Sequence, residues 1–367
     1  MFAENHKISV RQLETLLLLY YFGTTVLFLP SDAAVTTGNG CWIAAIIWGV
    51  ASSALAIFLV YCGERHPSYT AVEWYKSSFG GFIGTILAFG LGGKLIFDAA
   101  MELRVFCDVI SSSMLPRTPQ WLLFALTLIL CCLAASYGVE CTARVAEILF
   151  FLVFVPLIFV LIFVAISADY NRILPIQFPS LTGMGESMPF FAPLVQGFMV
   201  FLFIFPSLEK RRHMKRRIWL TCLFATVVIG VLVFLSLAVY GTEVLSEKLL
   251  PTLQMMERVS FSGIFLGRQD LFLLWLWMVT TFLYVASMIF FGIELCNRMA
   301  HNKKEKGNWW LILLAPLIFI VALLPKDMAG AYWLRIRVVP WSSGIFFILL
   351  PALTLFIDVI KRGGRHE

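Results

Sequence analysis

Long apolar runs separated by short polar connections follow one another along almost the whole of this 367-residue chain. A helix needs roughly 20 apolar residues to cross a bilayer. The pattern therefore predicts an all-α integral membrane protein, one membrane domain over 1–367, with about ten transmembrane helices at 9–30, 41–62, 82–110, 120–137, 145–167, 188–206, 218–240, 270–297, 309–324 and 342–360. The one long connection, 241–269, has mixed polarity and predicts a surface loop with a short interfacial helix.

Composition agrees with this fold class and argues against several classes of function. The chain is 60% hydrophobic and only 14% charged, whereas a soluble domain has about 25% charged residues. Its basic clusters lie beside apolar spans, so nucleic acid is not expected as a partner. The five His lie outside the apolar runs, which argues against an intramembrane metal site. No span combines nucleophiles with carboxylates in a catalytic grouping, and we therefore expect neither an enzyme nor a cofactor.

The distribution of Lys and Arg predicts the orientation. With both termini in the cytoplasm, 18 basic residues fall in inside segments and 8 in outside segments, Arg335 among the latter. Inside connections of membrane proteins carry the excess of Lys and Arg. The bias therefore predicts cytoplasmic termini and an even number of spans.

Helix-breaking residues concentrate in two of the predicted spans. The first span contains Gly23-Thr24-Thr25 and Pro30, and the sixth contains prolines and a glycine in "MPFFAPLVQGFMVFLFIFP". Paired interrupted spans in the two halves of a chain are typical of inverted-repeat transporters, where unwound backbone forms a binding site. We expect 23–25 to be unwound and, with a half-helix starting near Val26, to receive a ligand carboxylate. Proline kinks, or Gly23 as a close-packing position, are the alternatives.

Charged residues also occur at depth in the third span. Lys94, Asp98 and Glu102 are spaced i, i+4, i+8 and should share one helix face. They either neutralise one another or form a ligand-facing or proton-responsive cluster. Arg104 and Asp108, a second i, i+4 pair near the outer end, are expected to be structural.

Several stretches, in order along the chain, resemble one protein family. They are "ISVRQLETLLLLYYFGTTVLFLP", "LRVFCDVISSSMLPRTP", "ARVAEILF", "PTLQMMERVS" and "RQDLFLLWLWM". Together they resemble the B subunits of bacterial spore-germination nutrient receptors, in the amino acid–polyamine–organocation transporter superfamily. The resemblance implies a leucine-transporter-type fold of two five-helix inverted repeats, 1–167 and 168–367, with helices 1 and 6 broken.

The resemblance also implies a function and a site. The function is binding of a nutrient germinant, often an amino acid in this family, in the spore inner membrane, with signalling to an A-type membrane subunit and a C-type lipoprotein. A proton-coupled amino acid permease, using Asp98 or Glu102, is the alternative. The implied ligand site is lined by spans 1, 3, 6 and 8, at Gly23, Thr24, Thr25, Phe97, Met101, Gly197, Phe198, Met199, Thr280, Thr281 and Tyr284. Met199 stands where relatives often carry an acidic residue, which favours a more apolar ligand.

Overall fold

The computed structural model describes residues 7–209, 213–258, 269–300 and 309–363, and these are overwhelmingly helical. The N-terminal part of the chain contains α1 (Val10–Thr25), α2 (Leu29–Thr37), α3 (Cys41–Arg65), α4 (Ala71–Phe79), α5 (Gly81–Ser113), α6 (Gln120–Ser136) and α7 (Gly138–Ser167). The C-terminal part contains α8 (Leu181–Phe191), a 3-10 segment (Ala192–Leu202), α9 (Met214–Tyr240), α10 (Thr242–Glu247), α11 (Pro251–Arg258), α12 (Gln269–Met299), α13 (Trp310–Leu323), α14 (Met328–Ser343), a π-helical segment (Gly344–Leu349) and α15 (Leu350–Gly363).

Six helical stretches of the described residues are long and apolar enough to cross a bilayer. They are Leu29–Arg65, Gly81–Ser113, Gly138–Ser167, Met214–Tyr240, Leu273–Met299 and Met328–Lys361. Two shorter apolar helices, Gln120–Ser136 and Trp310–Leu323, correspond to the fourth and ninth predicted spans. The first and sixth predicted spans are divided into shorter pieces, so neither forms one long helix. The protein is thus an all-α membrane protein, as the sequence predicts.

The first span is interrupted, but not where the sequence analysis expected. Residues 23–25 belong to α1, and the interruption is the turn at 26–28, before α2 starts at Leu29. The prediction that Gly23-Thr24-Thr25 is unwound is therefore wrong, as is the start of the half-helix near Val26. Pro30 explains the shift, because it has no N–H to bond the carbonyl of Val26 and is well tolerated in the first turn of α2.

The sixth span is also irregular, and it begins earlier than predicted. It combines α8, which contains Pro189, with the 3-10 segment that follows from Ala192. A 3-10 stretch of this length is uncommon, because its hydrogen bonds are poorer than those of an α-helix. Pro189 and Pro193 remove two backbone donors here, which accounts for the loss of regular α-helix.

The last membrane span begins earlier than the sequence analysis predicted. The sequence analysis placed its start at 342 and assigned Arg335 to an outside segment. Instead, helical structure runs from Met328, and Arg335 is only 3% exposed. The two arginines in "WLRIRVVPW" lower the local hydropathy. For this reason the hydropathy pattern did not predict a membrane helix over these residues.

The spans meet in a regular order. α3 packs along α9, α5 packs along α12, and α1 packs along the 3-10 segment. In the numbering of the predicted spans, span 2 packs along span 7, span 3 along span 8, and span 1 along span 6. Equivalent members of two inverted five-helix repeats would meet in this way across a pseudo-twofold axis. The repeat itself and its boundaries at 1–167 and 168–367 stay predictions.

The connection 241–269 carries more helix than predicted. It contains α10 and α11, the second of which packs against α12. Residues 259–268 of this connection lie outside the described residues.

Candidate functional site

The break in the first span leaves backbone carbonyls that side chains from distant helices satisfy. Trp277 Nε1 donates to the carbonyl of Gly23 at 2.8 Å, and Thr252 Oγ1 donates to that of Val26 at 2.6 Å. Arg335 Nη2 donates to the carbonyl of Thr24 at 2.6 Å. Lipid cannot replace lost backbone hydrogen bonds, so these donors allow the chain to break at membrane depth.

A narrow crevice lies beside this break. Its free volume is about 10 Å³, roughly the space of one water molecule. It is lined by residues of α1, α2 and their turn, of the broken sixth span, and of α14: Thr24, Thr25, Phe28, Leu29, Asp32, Pro189, Phe190, Pro193, Tyr332, Arg335 and Ile336. Both interrupted spans therefore contribute walls to one space. Such a place, concave and apolar with a few polar groups, is typical of small-molecule sites.

The crevice adjoins a wider cavity of about 260 Å³. Phe28, Asp32, Phe190 and Tyr332 line both, and the wider cavity is also bordered by Ser246–Leu249 after α10. The crevice can thus be reached from the side of the α9–α12 connection.

The charged residues of the third span are paired inside the bundle. Lys94 Nζ lies 2.9 Å from Asp98 Oδ2, and it also donates to Ser342 and Ser343 at 3.2 and 3.3 Å. Glu102 Oε2 lies 3.4 Å from Arg335 Nη1. The shared face predicted for Lys94, Asp98 and Glu102 thus faces α14 and the segment after it. Both alternatives, neutralisation and a ligand-facing cluster, remain compatible with this pairing.

Several buried polar atoms near this cluster have no hydrogen-bond partner among the described residues. They include Asp98 Oδ1, Thr281 Oγ1, Tyr284 Oη and Arg335 Nε. The charges of Asp98, Glu102 and Arg335 act on the phenol of Tyr284, so these groups share one region. Unpartnered buried polar atoms cost free energy unless a ligand or water satisfies them. The region is therefore a candidate extension of the crevice.

The sequence analysis predicted eleven residues for the ligand site. Of these, only Thr24 and Thr25 line the crevice. Their hydroxyls bond to carbonyls: Thr24 to Tyr20 at 2.9 Å and to Pro193 at 3.2 Å, Thr25 to Tyr21. This local back-bonding satisfies both hydroxyls without a ligand.

Gly23 and Gly197 are close-approach positions. A Cβ on Gly23 would lie 3.2 Å from the backbone of Thr280, and one on Gly197 would lie 2.9 Å from Tyr20 Cβ. The alternative reading of Gly23 as a packing residue therefore has structural support. Phe198 contacts Tyr21 edge-on, Thr280 bonds to the carbonyl of Trp277, Met101 and Met199 are buried, and Phe97 is half-buried.

Sequence reasoning missed the three other polar residues of the crevice, Asp32, Tyr332 and Arg335. Asp32 and Tyr332 are joined by a hydrogen bond from the phenol to Asp32 Oδ1, and Arg335 follows Tyr332 by one helical turn. Asp32 directly follows the Pro30 break, which was a usable signal. Arg335 could have been found as a charge flanked on both sides by apolar residues, but its partners lie far away in the sequence.

Arg104 and Asp108 have the structural role that was expected. Arg104 Nε lies 2.8 Å from Asp108 Oδ2, and its two other nitrogens donate to the carbonyls of Pro325 and Lys326 at 2.9 and 3.1 Å. The pair thus anchors the connection between α13 and α14 to α5. Among the described residues, no group of three or more His, Cys, Asp or Glu is arranged to hold a metal ion.

Comparison with known proteins agrees with this picture. The model of the spore germination protein family matches residues 7–330. Spore germination protein KB of Bacillus subtilis (strain 168) is 22% identical over 373 residues, covering 99% of this chain and 97% of the relative. Spore germination protein A2 of the same organism is 23% identical over 93% of this chain and 92% of its own length, and spore germination protein GerQB of Bacillus cereus is 24% identical over 94% and 93%. The paired broken spans and the family match over nearly the whole chain lead to one conclusion: this chain is a member of the spore germination protein family.

Proposed function

We propose that this chain is the membrane subunit of a germinant receptor that binds a small nutrient and passes a signal to partner subunits. One observation carries the proposal: the two interrupted spans and α14 converge on a single crevice at the break. Membership in the germination family supports a receptor rather than an enzyme.

Binding in this crevice can drive a conformational signal because its walls belong to separate helical pieces. A ligand shifts an equilibrium only by as much as it prefers one state over the other. A nutrient that contacts Thr25, Phe190 and Ile336 together would favour the arrangement in which α1, α8 and α14 are close. The partner subunits would respond to that movement.

The proposal includes the setting implied by the family resemblance. The chain would adopt the two inverted five-helix repeats and reside in the spore inner membrane with both termini in the cytoplasm. Its partners would be an A-type membrane subunit and a C-type lipoprotein. The order in which the spans pack and the excess of inside Lys and Arg support this arrangement.

The crevice can be blocked from α14 with a matched control on the same helix. Ile336 lines the crevice, whereas Val338 is exposed on the outside of the bundle. We expect Ile336→Trp to abolish the nutrient response of spores, because the indole fills the space, and Val338→Trp to leave it unchanged. The measurement is germination against nutrient concentration at equal protein abundance. A normal dose–response in Ile336→Trp spores would exclude the crevice as the nutrient site.

A transport assay on the purified chain distinguishes a receptor from the alternative, a proton-coupled amino acid permease. Asp98 and Glu102 each have a cationic neighbour, Lys94 and Arg335 respectively, and this pairing favours a fixed charge over a carboxylate that takes up and releases a proton. Uptake of labelled amino acids into proteoliposomes under an imposed pH gradient would establish the permease.

Orientation has its own test. A reporter inserted beside Lys248 should be found outside, and one fused after Arg365 should be found in the cytoplasm, because basic residues concentrate in the inside segments. Fusion proteins assayed for accessibility to a membrane-impermeant reagent give the result directly. The reverse pattern would also invert the side from which the crevice opens.

A further inference from the structure

A separate cavity lies between α3, the interrupted sixth span and the end of α14. This side cavity has a volume of about 170 Å³, and its lining residues fall within 48–55, 188–195 and 340–348. Among the residues that the structure describes, none lines both the side cavity and the crevice at the first break. The two spaces are therefore distinct, although both use residues of the sixth span and of α14.

Irregular backbone accounts for the space. The sixth span continues as a 3-10 segment from Ala192, and Gly344–Leu349 is π-helical, so two of the three walls are not regular α-helix. Side chains on such turns do not follow the rows of an α-helix, and they cannot interdigitate with α3 as one α-helix does with another. π-helical turns are also frequent at functional sites.

Small residues keep the side cavity open. Ala51, Ala192 and Gly344 all line it. A Cβ on Gly344 would meet nothing within 4 Å, and the backbone there has a φ of −57°, which any residue adopts. The glycine is thus not needed for its conformation, and what it provides at this position is space.

The chemistry of the lining is apolar. Its two hydroxyls are hydrogen-bonded within the protein: Ser52 Oγ donates to the carbonyl of Gly49 at 2.8 Å, and Ser343 Oγ accepts from Lys94 at 3.3 Å. Trp48 Nε1 donates to Ser187 at 2.9 Å. A buried water needs two to four polar partners, whereas an apolar cavity of about 150 Å³ stays dry and binds a molecule such as benzene. The side cavity therefore suits a short hydrocarbon segment.

Its position favours lipid as the source of that hydrocarbon. Residues 48–55 lie about 10–21 Å along α3 from the helix end at Cys41, which corresponds to the middle of a hydrocarbon core roughly 30 Å thick. Met188 and Ile348, which also line the side cavity, are 45% and 51% exposed. Acyl chains surround exposed side chains at this depth. An unfilled cavity forfeits dispersion contacts, and a neighbouring chain can restore them.

We propose that the side cavity binds part of one acyl chain of a membrane phospholipid, inserted between α3, the sixth span and the π-helical segment. The chain fills the space that the irregular backbone leaves, and it stabilises the packing of these three segments. The inference goes beyond the proposed function and does not depend on it, because the nutrient is assigned to the other space.

The first experiment counts bound phospholipid on the full chain purified in detergent, by native mass spectrometry, and measures thermal unfolding before and after delipidation. The wild type should retain one phospholipid and should unfold at a lower temperature once that lipid is removed. Gly344→Leu fills the cavity with its own side chain, so it should retain none and should unfold at the same temperature in both states. Loss of only two buried methylene groups already lowers affinity about 10-fold.

Matched variants separate the side cavity from the general lipid surface. Gly93→Leu is the control for Gly344→Leu, since a Cβ on Gly93 also meets nothing within 4 Å but this residue is exposed on α5 outside the cavity. Ala51→Leu fills the same space from α3, and it tests the proposal independently of how Gly344→Leu folds. Its control is Ala54→Leu, at an exposed position one turn further along α3. Both controls should retain lipid like the wild type.

The second experiment locates the chain. The protein is placed in nanodiscs of a phospholipid that carries a photoactivatable diazirine in the middle of its acyl chain. Adducts should form on Ser52 or Phe191, which line the cavity and are only 5% and 3% exposed, so surrounding lipid does not reach them. Phe159, 55% exposed on α7, is the reference for surrounding lipid. Gly344→Leu should remove the first adducts and keep the second.

Three results would overturn the proposal. One is a wild-type protein that forms no adducts on Ser52 or Phe191 and loses no stability on delipidation. Another is that folded Gly344→Leu and Ala51→Leu both retain phospholipid and form these adducts like the wild type. The third is that benzene or hexane, but not phospholipid, stabilises the delipidated protein, since the cavity would then take a free apolar molecule.

Discussion

Replacing Asp98 with leucine is expected to destabilise the protein strongly, because it leaves the ammonium of Lys94 buried without its counter-charge. The two side chains are 0% and 1% exposed, and their charged atoms are 2.9 Å apart. Removing one partner of a buried ion pair costs about 3–5 kcal/mol, much more than the pair itself contributes. The remaining contacts of Lys94, with the hydroxyls of Ser342 and Ser343, cannot neutralise its charge.

The measurement is thermal unfolding of the purified protein in detergent together with its abundance in the membrane. Two variants give the comparison. Lys94→Met combined with Asp98→Leu removes both charges and should recover most of the lost stability. Asp169→Leu breaks an exposed pair with Arg172 and removes the side-chain cap on the N–H of Asn171, which together should cost at most about 2 kcal/mol. Equal stability of Asp98→Leu and Asp169→Leu would show that the third-span pair is not structurally important.

The double variant also addresses function. If Lys94 and Asp98 only neutralise each other, spores carrying the double variant should keep their nutrient response and its pH dependence. If they form part of a proton-responsive site, the response should change although stability is restored. The experiment thus separates the two interpretations that the sequence left open.

Replacing Gly63 with alanine is expected to have the second large effect. A Cβ at this position of α3 would lie 1.9 Å from an atom of the Phe205 ring, far inside van der Waals contact. Phe205 is 1% exposed, so the ring has little room to move away. Overpacking of this kind costs about 1–3 kcal/mol, and we expect a lower thermal unfolding temperature of the purified protein.

A second-site change tests the explanation. Phe205→Leu should be mildly destabilising alone but should suppress the effect of Gly63→Ala, because the smaller side chain vacates the space. Gly93→Ala is the control, since a Cβ there meets nothing within 4 Å and alanine favours the helix. Additive effects of the two changes would mean that the contact between α3 and the end of the sixth span is not what limits stability.

The two interrupted spans were predictable from the sequence, but most of the residues that line the crevice between them were not. Breakers near Pro30 and Pro193 identified the two interrupted spans, because a proline removes a backbone donor wherever the chain folds. The donors that satisfy the freed carbonyls, Trp277, Thr252 and Arg335, lie more than 220 residues away from them. No local pattern reveals such pairs. Arg335 was assigned to an outside segment because two arginines lower the hydropathy around it.

The sequence by itself determined the properties that depend on residue type and short spacing: the membrane class, the approximate spans, the paired interruptions, and the shared face of Lys94, Asp98 and Glu102. Tertiary structure alone decided which side chains satisfy the carbonyls at the break, that Glu102 faces Arg335, and that Asp32 and Arg335 line one crevice. The physical reason is the range of the interactions. Hydrophobicity and helical periodicity act within one segment, whereas charge pairing and carbonyl capping depend on which helices become neighbours.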